Sequence, residues 1–325
     1  MKTRGAKTSG VPALCLSLIL LLCAVGGRAQ TTPTLFHGGV DLVSLSVVVT
    51  DGQERFVSGL SAADFSVFED GVQQDVSFFA ATPMPIDLAI LLDTSASMSD
   101  KLSTVQEAAI GFASNIRPGD RIAIVDIKDT VKVLHPLDED VTAASAAIRA
   151  TTAGGGTAVY NGLYMTLKEI VRHRRNNGEV RREAIVLLSD GDDTASLLSF
   201  DDVMEVAKQS GVAIYTITLK SEFAVRQAQA SGHRYFAESE FAMKSLARET
   251  GGQAFSPSQI SELAGVYGVI AEELASQYAI GYTPKNPRTD GSYRRVSVRV
   301  NHPGVRTRTR SGYLGPRSTQ AQNYR

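Results

Sequence analysis

The chain is predicted to fold as an α/β protein: a doubly wound, mostly parallel sheet with a small flanking β domain made from its N- and C-terminal segments. From residue 86 onward, apolar runs of strand length alternate with helical periodicity, a rhythm typical of a parallel sheet covered on both faces. The segments before and after this region alternate apolar and polar residues, as half-buried strands do. A chain of 325 residues also exceeds the usual size of one compact domain.

Residues 1–29 have the composition of a secretory signal peptide. Basic residues precede an apolar stretch from Val11 to Val25, and Gly27-Arg28-Ala29 has the small-x-small form of a cleavage site. A membrane anchor is the competing interpretation, but a core of about 15 residues is short for a span of about 20. Lipidation at Cys23 is a second alternative, which the bulky Leu22 before it disfavours. We therefore expect an exported protein, periplasmic, cell-surface or secreted, with no transmembrane helix in the mature chain.

Both cysteines, Cys15 and Cys23, lie in this segment, so the mature chain would contain none and could not rely on disulfides. Cleavage would also remove four basic residues and no acidic ones, which takes the formal net charge from −1 to −5. An acidic chain of this kind does not indicate a nucleic-acid partner.

The N-terminal β segment is predicted over residues 30–83. Residues 30–35 are mostly polar and are expected to be disordered, and an alternating pattern over residues 43–49 then predicts a strand with one apolar face. Further on, Leu60–Phe65 followed by Phe68–Gln73 predicts a strand, a tight turn at Asp70-Gly71 and a second strand.

The central α/β domain is predicted over residues 84–276. The predicted strands cover residues 86–92, 121–127, 184–189 and 212–219. The predicted helices cover residues 101–115, 158–174, 200–210, 241–250 and 259–277.

The C-terminal β segment is predicted over residues 277–315, followed by a disordered tail over 316–325. Three strands are expected, at 277–282, 293–300 and 305–313. Because neither β segment could bury much apolar surface alone, we expect the two to pair into one small sandwich with the α/β domain inserted between them.

Oxygen-bearing side chains follow the predicted buried strands at three places. Asp93, Ser95 and Ser97 form a D-x-S-x-S motif after the first strand, Thr157 follows three glycines before a helix, and Asp190 precedes Gly191 after another strand. The carboxyl ends of parallel strands meet at one edge of a sheet. A hard cation such as Mg²⁺ binds about six oxygens, so the sequence predicts a metal site there.

In this combination and order the motifs resemble the von Willebrand factor type A (VWFA) family, which has a Rossmann-like fold and a metal-ion-dependent adhesion site (MIDAS). The resemblance implies the ligand set Asp93, Ser95, Ser97, Thr157 and Asp190. It implies direct ligation by the two serines, direct or water-mediated ligation by Thr157, and mostly water-mediated contacts from the two aspartates. Residues 36–82 also resemble the segment that precedes the type A domain in a group of exported bacterial proteins.

The cation that this resemblance implies is most simply Mg²⁺, with Mn²⁺ or Ca²⁺ as alternatives. With few carboxylates touching the ion, it keeps a positive field and can take an Asp or Glu carboxylate from a partner protein as its missing ligand. The implied function is a metal-ion-dependent, adhesion-type protein-binding module.

Each motif also has a plain structural interpretation. Ser97 alone could be a helix N-cap, Asp190 a turn residue, and Gly154–Gly156 a flexible loop. Asp192 and Asp193 are interpreted as solvated loop acids rather than as ligands of a second metal.

The enzyme alternatives lack their motifs. The second Asp of a D-x-D phosphatase is replaced by Ser95, no G-x-S-x-G elbow surrounds the serines, and no H-E-x-x-H pair is present. We therefore expect no catalytic activity. The remaining alternative is a non-catalytic scaffold of a cell-envelope assembly whose metal site is vestigial.

Overall fold

The computed structural model describes residues 42–81, 84–177, 179–190, 193–219, 230 and 234–317. The predicted signal peptide lies outside these ranges, as do residues 318–325 of the segment predicted to be disordered. Among the helices that are described, none is long and apolar enough to cross a membrane.

The N-terminal β segment is called the leader below. It forms four short strands: β1 (Val43–Thr50), β2 (Phe65–Glu69), β3 (Val72–Gln74) and β4 (Val76–Ala80). The alternate apolar residues of β1 are buried, as predicted. Asp70 and Gly71 join β2 to β3 with φ angles of 48° and 83°. Positive φ at both central residues is characteristic of a type I′ turn, whose twist matches that of paired strands. Asp-Gly is a preferred sequence for this turn. The predicted hairpin is therefore confirmed.

The central domain alternates strands and helices. Its strands are β5 (Ile86–Asp93), β6 (Arg121–Ile127), β7 (Val131–Asp138), β8 (Arg182–Ser189), β9 (Ala213–Thr218) and β10 (Ala254–Phe255). Its helices are α1 (Leu102–Ala113), α2 (Val141–Arg149), α3 (Val159–Asn177), α4 (Phe200–Ser210), α5 (Arg234–Thr250) and α6 (Leu263–Ser276).

The central strands form one six-stranded sheet in the order β10-β9-β8-β5-β6-β7. Every pairing is parallel except that of β6 with β7, which is antiparallel. One apolar cluster packs each face: α1, α2 and α6 cover one side, and α3, α4 and α5 cover the other. The predicted doubly wound α/β fold is confirmed.

Sequence patterns missed β7 and α2. Strand β7 lies at the edge of the sheet, where Val133 and Leu134 are adjacent in sequence and both exposed, so it shows no clean alternation. Helix α2 is nine residues long and rich in alanine, which leaves few large apolar residues to mark its buried face.

The C-terminal β segment, residues 277–315, is called the tail below. It forms β11 (Tyr278–Tyr282), β12 (Tyr293–Val300), β13 (Arg306–Arg308) and β14 (Gly312–Leu314). These strands join those of the leader in two four-stranded sheets, β13-β1-β11-β4 and β14-β12-β2-β3. A shared apolar cluster from both segments fills the space between the sheets. The predicted β domain made from the two ends of the chain is thus confirmed.

The prediction of one continuous strand over residues 305–313 is wrong. Strand β13 pairs with β1 in one sheet, and β14 pairs with β12 in the other. The chain changes sheets between them, where it passes over the turn at Gly251: a Cβ atom on Gly251 would lie 2.6 Å from the Arg310 nitrogen. Alternation of residue types cannot show such a change of sheet.

A buried polar cluster fastens the leader to the tail. Arg294 of β12 is 1% exposed and donates to Oε1 of Glu69 in β2 at 3.2 Å. The hydroxyls of Tyr282 and Tyr313 donate to the other oxygen, Oε2, at 2.9 and 2.7 Å. Both carboxylate oxygens of Glu69 are therefore engaged by residues from the opposite end of the sequence.

A second cluster fastens α6 to its surroundings. Glu273 of α6 is 1% exposed and accepts a hydrogen bond from the Tyr215 hydroxyl of β9 at 2.6 Å. Arg308 of β13 pairs with the other oxygen of Glu273 and donates to the Gly251 carbonyl at 3.0 Å. Helix α6 is thus tied both to the central sheet and to the sandwich.

Candidate metal centre

The predicted site residues lie at the carboxyl edge of the central sheet. Asp93 ends β5, and Asp190 follows directly after β8. These two strands are neighbours at the point where strand order reverses, which is where open α/β sheets bind ligands. Both aspartates are buried, at 0% and 7% exposure.

The first loop folds back on the Asp93 carboxylate. The Ser95 backbone N–H donates to Asp93 Oδ1 at 2.9 Å, and the Ser189 hydroxyl donates to Oδ2 at 2.7 Å. The chain then enters a short 3-10 turn, Ala96–Met98, which brings the Ser95 and Ser97 hydroxyl oxygens within 3.0 Å of each other. Ser95 is buried and Ser97 is exposed, so the motif reaches from the interior to the surface.

The glycine loop lies between two other loops. On one side, the Gly154 N–H donates to the Thr94 carbonyl at 2.9 Å, and the Ala96 N–H donates to the Gly155 carbonyl at 3.0 Å. On the other, the Gly156 N–H donates to Asp129 Oδ1 at 2.7 Å. Gly155 has a φ of 77°, and a Cβ atom there would lie 2.2 Å from Asp129 Oδ2. Conformation and close approach both favour glycine at this position.

Thr157 is held against the segment that follows Asp190. It is buried, its carbonyl accepts from the backbone N–H groups of Thr194 and Ala195 at 2.8 and 3.0 Å, and its own N–H donates to the Thr194 hydroxyl at 3.0 Å. Backbone bonds thus tie the glycine and threonine loop both to the D-x-S-x-S loop and to the segment after β8. The ligand roles of the five residues stay predictions.

The two buried carboxyl groups of the site are not fully satisfied by the protein's own donors. Burial is the main cause that raises the pKa of the Asp93 carboxyl to about 6; hydrogen bonds from Ser95 and Ser189 oppose the rise, and the negative charge of Asp190 adds to it. In the part of the chain that the structure describes, Oδ1 of Asp190 is buried without a hydrogen-bond partner. Buried carboxylate oxygens without partners are costly, and a cation would satisfy this one.

The donor set fits a hard divalent cation. Hydroxyl and carboxylate oxygens are the ligands that such ions prefer. Within the described ranges, no group of three or more His, Cys, Asp or Glu residues is placed to hold a metal. A metal at this edge would therefore be held largely by neutral hydroxyls and would keep much of its charge.

Sequence analysis missed three residues that support the site. Ser189 holds the second oxygen of Asp93. Asp126, a lone acid in the apolar run of β6, accepts a hydrogen bond from the Thr94 hydroxyl and lies 3.7 Å from Lys128 Nζ. Asp129 holds the glycine loop from the turn after β6. The buried position of Asp126 in an otherwise apolar strand was a usable signal; Asp129 in a hairpin turn gave none.

The interpretation of Asp193 as a solvated acid is wrong. Its carboxylate accepts from the backbone N–H groups of Tyr160 at 2.8 Å and Ser196 at 2.9 Å, and from the Ser196 hydroxyl at 2.7 Å. It therefore caps the first turn of α3 from a different segment of the chain. Asp192 lies outside the described residues.

Comparison with known families gives one match that covers more than half of the chain. The model of the von Willebrand factor type A domain matches residues 87–263. Among curated proteins, a UPF0353 protein of Mycolicibacterium paratuberculosis is 26% identical over 201 residues, which are 58% of this chain and 60% of that protein. Another from Mycolicibacterium vanbaalenii is 25% identical over 226 residues, 66% of this chain and 67% of that protein. The match thus spans three fifths to two thirds of these bacterial relatives.

Solved structures with a similar fold include a von Willebrand factor type A protein from Catenulispora acidiphila, with 11% identity, a TM-score of 0.49, and coverage of 88% of this chain and 76% of that one. The vWF domain of the type V pili tip protein Mfa5 from Porphyromonas gingivalis has 16% identity and a TM-score of 0.46, with 59% and 95% coverage. Proximal thread matrix protein 1 from the mussel byssus, solved with a zinc-occupied MIDAS motif, has 17% identity and a TM-score of 0.47, with 64% and 50% coverage.

Proposed function

Because the chain belongs to the von Willebrand factor type A family, we propose that it is an exported, metal-ion-dependent protein-binding module. Asp93, Ser95, Ser97, Thr157 and Asp190 would hold a divalent cation, most simply Mg²⁺. The cation supplies a positive centre to which an Asp or Glu carboxylate of a partner protein binds as the last ligand.

The observation that carries this proposal is the unpartnered Oδ1 of Asp190, buried at the same edge as Asp93. It is the only carboxylate oxygen among the seven buried side-chain atoms that lack a hydrogen-bond partner in the described chain. Nearly all buried polar atoms in folded proteins have partners, so an exception calls for a missing ligand or a strained function. The serine and threonine hydroxyls of the neighbouring loops supply further oxygens of the type that a hard cation binds.

The protein's own contribution is preorganisation. Ser189 and the Ser95 N–H fix the Asp93 carboxylate, and backbone bonds on three sides fix the loop that carries Thr157. Groups held this way need little ordering when a partner arrives, which favours affinity.

We further propose that the module is not an enzyme. In the described structure the Ser95 hydroxyl lies 3.0 Å from the hydroxyl of another serine, Ser97, whereas a nucleophilic serine is usually paired with a histidine or lysine that acts as its base. A serine in this setting is suited to ligating a metal and not to attacking a substrate.

The test is titration calorimetry of Mg²⁺ and Mn²⁺ into the chain from residue 30 onward. We expect one saturable site in the wild-type protein and its loss in Asp190→Ala and Ser95→Ala. Asp75→Ala is the matched control, because Asp75 is a highly exposed acid in the β domain that pairs with Lys285. Metal binding that survives both site substitutions would contradict the proposal and favour the vestigial-site scaffold.

Export is proposed from the signal-like N-terminus and is tested separately. A C-terminally tagged full-length chain expressed in a bacterium should be recovered outside the cytoplasm, shortened by about the 29 predicted residues when its mass is measured. Recovery of the unshortened chain in the cytoplasm would contradict export without bearing on the metal site.

A further inference from the structure

One leucine beside the metal centre is almost entirely exposed. Leu197, in the turn between β8 and α4, has 96% of its surface open to solvent, the largest value among the exposed large apolar residues of the described chain. A scattered exposed apolar residue needs no explanation by itself. This one differs because the turn that presents it is fixed in place.

Five hydrogen bonds fix the turn to its surroundings. The Ser196 backbone and hydroxyl both donate to Asp193, at 2.9 and 2.7 Å. The Asn161 N–H of α3 donates to the Ser196 hydroxyl at 3.0 Å, and the amide oxygen of Asn161 accepts from the backbone N–H groups of Leu197 and Leu198 at 3.3 Å each. The leucine therefore projects from a backbone that is already ordered.

The same turn is joined to the predicted metal ligands. Thr194 and Ala195, two to three residues before Leu197, donate to the Thr157 carbonyl. Asp190 lies seven residues before Leu197 on the same connection. Leu197 thus belongs to the carboxyl edge of the sheet, on the α3 side of the metal centre.

A second exposed apolar residue lies on the helix that binds this turn. Met165 of α3 is 49% exposed and lies one helical turn after Asn161, so the two share one side of the helix. We call Leu197 and Met165 the apolar strip. Its neighbours Asn161, Thr194 and Ser196 are uncharged, and the nearby Asp193 carboxylate is already bound by Ser196 and by the Tyr160 N–H.

We propose that the apolar strip is the second half of the partner-binding surface: the partner is a protein segment that carries an Asp or Glu for the metal and an apolar side chain that covers Leu197. This rests on the proposed function above. The metal centre would select a carboxylate, whereas the exposed Leu197 side chain is best covered by another apolar side chain, which excludes water. An ordered turn lowers the entropy lost on binding, as expected of an interface anchor.

The experiment uses peptides displayed on phage, with one fixed Asp and randomised residues on both sides, selected on the wild-type chain in Mg²⁺. We expect the selected sequences to share an apolar residue at a constant distance from the Asp. The best peptide is then titrated into wild type, Leu197→Ser and Val180→Ser. Val180 is the matched control because it is 63% exposed but lies just before β8, at the opposite edge of the sheet.

We expect Leu197→Ser to bind the peptide about tenfold or more weakly, with Mg²⁺ affinity unchanged, and Val180→Ser to bind as wild type does. Peptide binding that is abolished by chelator yet unaffected by Leu197→Ser would overturn the apolar strip and leave the metal-dependent function standing. If the selected peptides bind equally well in chelator, or if the selection yields no magnesium-dependent peptide, both the apolar strip and the metal-dependent function would be overturned.

Discussion

The metal centre and the Glu69–Arg294 cluster both bury carboxylates, but they differ in how those carboxylates are satisfied. In the sandwich, one oxygen of Glu69 receives Arg294 and the other receives two tyrosine hydroxyls. In the metal centre, Asp93 has its two oxygens bound by neutral donors, while one oxygen of Asp190 has no partner among the described residues.

We expect such a difference between a buried charge that serves folding and one that is kept for a ligand. A complete set of internal partners holds two segments together and leaves nothing for an outside molecule. An incomplete set costs free energy in the protein alone, and a bound ion offsets that cost. Three predictions test this comparison, in descending order of expected effect.

The largest effect is expected in the sandwich. Glu69→Ala leaves Arg294 buried without its carboxylate, and removing one partner of a buried ion pair typically costs about 3–5 kcal/mol. Urea denaturation followed by circular dichroism should show this loss. The exposed acid Asp75 is the control, and its substitution by Ala should change stability by no more than about 0.5 kcal/mol. A loss that small for Glu69→Ala would show that the cluster does not fasten the two segments.

The metal centre should respond in the opposite way. In chelator, Asp190→Ala removes a carboxylate oxygen that has no partner, so we expect stability within about 1 kcal/mol of wild type. In Mg²⁺ at about 100 times its dissociation constant, the wild type alone should gain about 2.7 kcal/mol. Thermal unfolding of both proteins with and without Mg²⁺ measures this. An equal gain in the variant would place the stabilising ion elsewhere.

Glu183 of β8 is an intermediate case, because its buried carboxyl has one charged partner. Its side chain is 5% exposed and lies 3.3 Å from Arg174. Burial raises the pKa of this carboxyl to about 7; Arg174 opposes the rise and Asp87 adds to it. Since the folded pKa exceeds the ordinary value of 4.5, the folded state holds the extra proton between these values. The associated stability is present at low pH and is lost as pH rises through 7.

Between pH 6 and 8 this loss should be about 1 kcal/mol in wild type and absent in Glu183→Gln, whose amide does not titrate. Denaturation midpoints at pH 6, 7 and 8 for the two proteins give the comparison. Parallel pH profiles would show that Glu183 is ionised throughout and fully satisfied by Arg174.

The sheet and the candidate ligands could be predicted because their signals are local. Asp93 and Asp190 end apolar runs, and parallel topology brings such ends together. Partners distant in sequence could not be predicted in this way: Arg294 lies 225 positions from Glu69, and Asp193 caps a helix that begins more than thirty positions earlier. Residue type alone does not say which remote group a side chain will meet.

One long-range signal was nevertheless present. Residues 42–81 contain six acidic residues and one basic residue, a net charge of −5, whereas residues 277–317 contain nine basic residues and one acidic residue, a net charge of +8. Opposite charge on two segments that each need a partner favours their pairing. The Glu69–Arg294 and Asp75–Lys285 pairs bridge leader and tail.

Both chain connections between the inserted domain and the sandwich lie at the same end of one strand pair. It is entered from β4 into β5 and left from α6 into β11, and β4 and β11 are adjacent strands whose Ala80 and Ala279 lie opposite each other. A tensile load applied by a partner at the metal would therefore pull both strands from the same end. Because β4 and β11 would be pulled in the same direction, their mutual hydrogen bonds would carry little shear. The shear would fall on the five residue pairs between β11 and β1. We therefore expect the pairing of β1, the first strand of the described chain, with β11 to limit the load that the sandwich can bear.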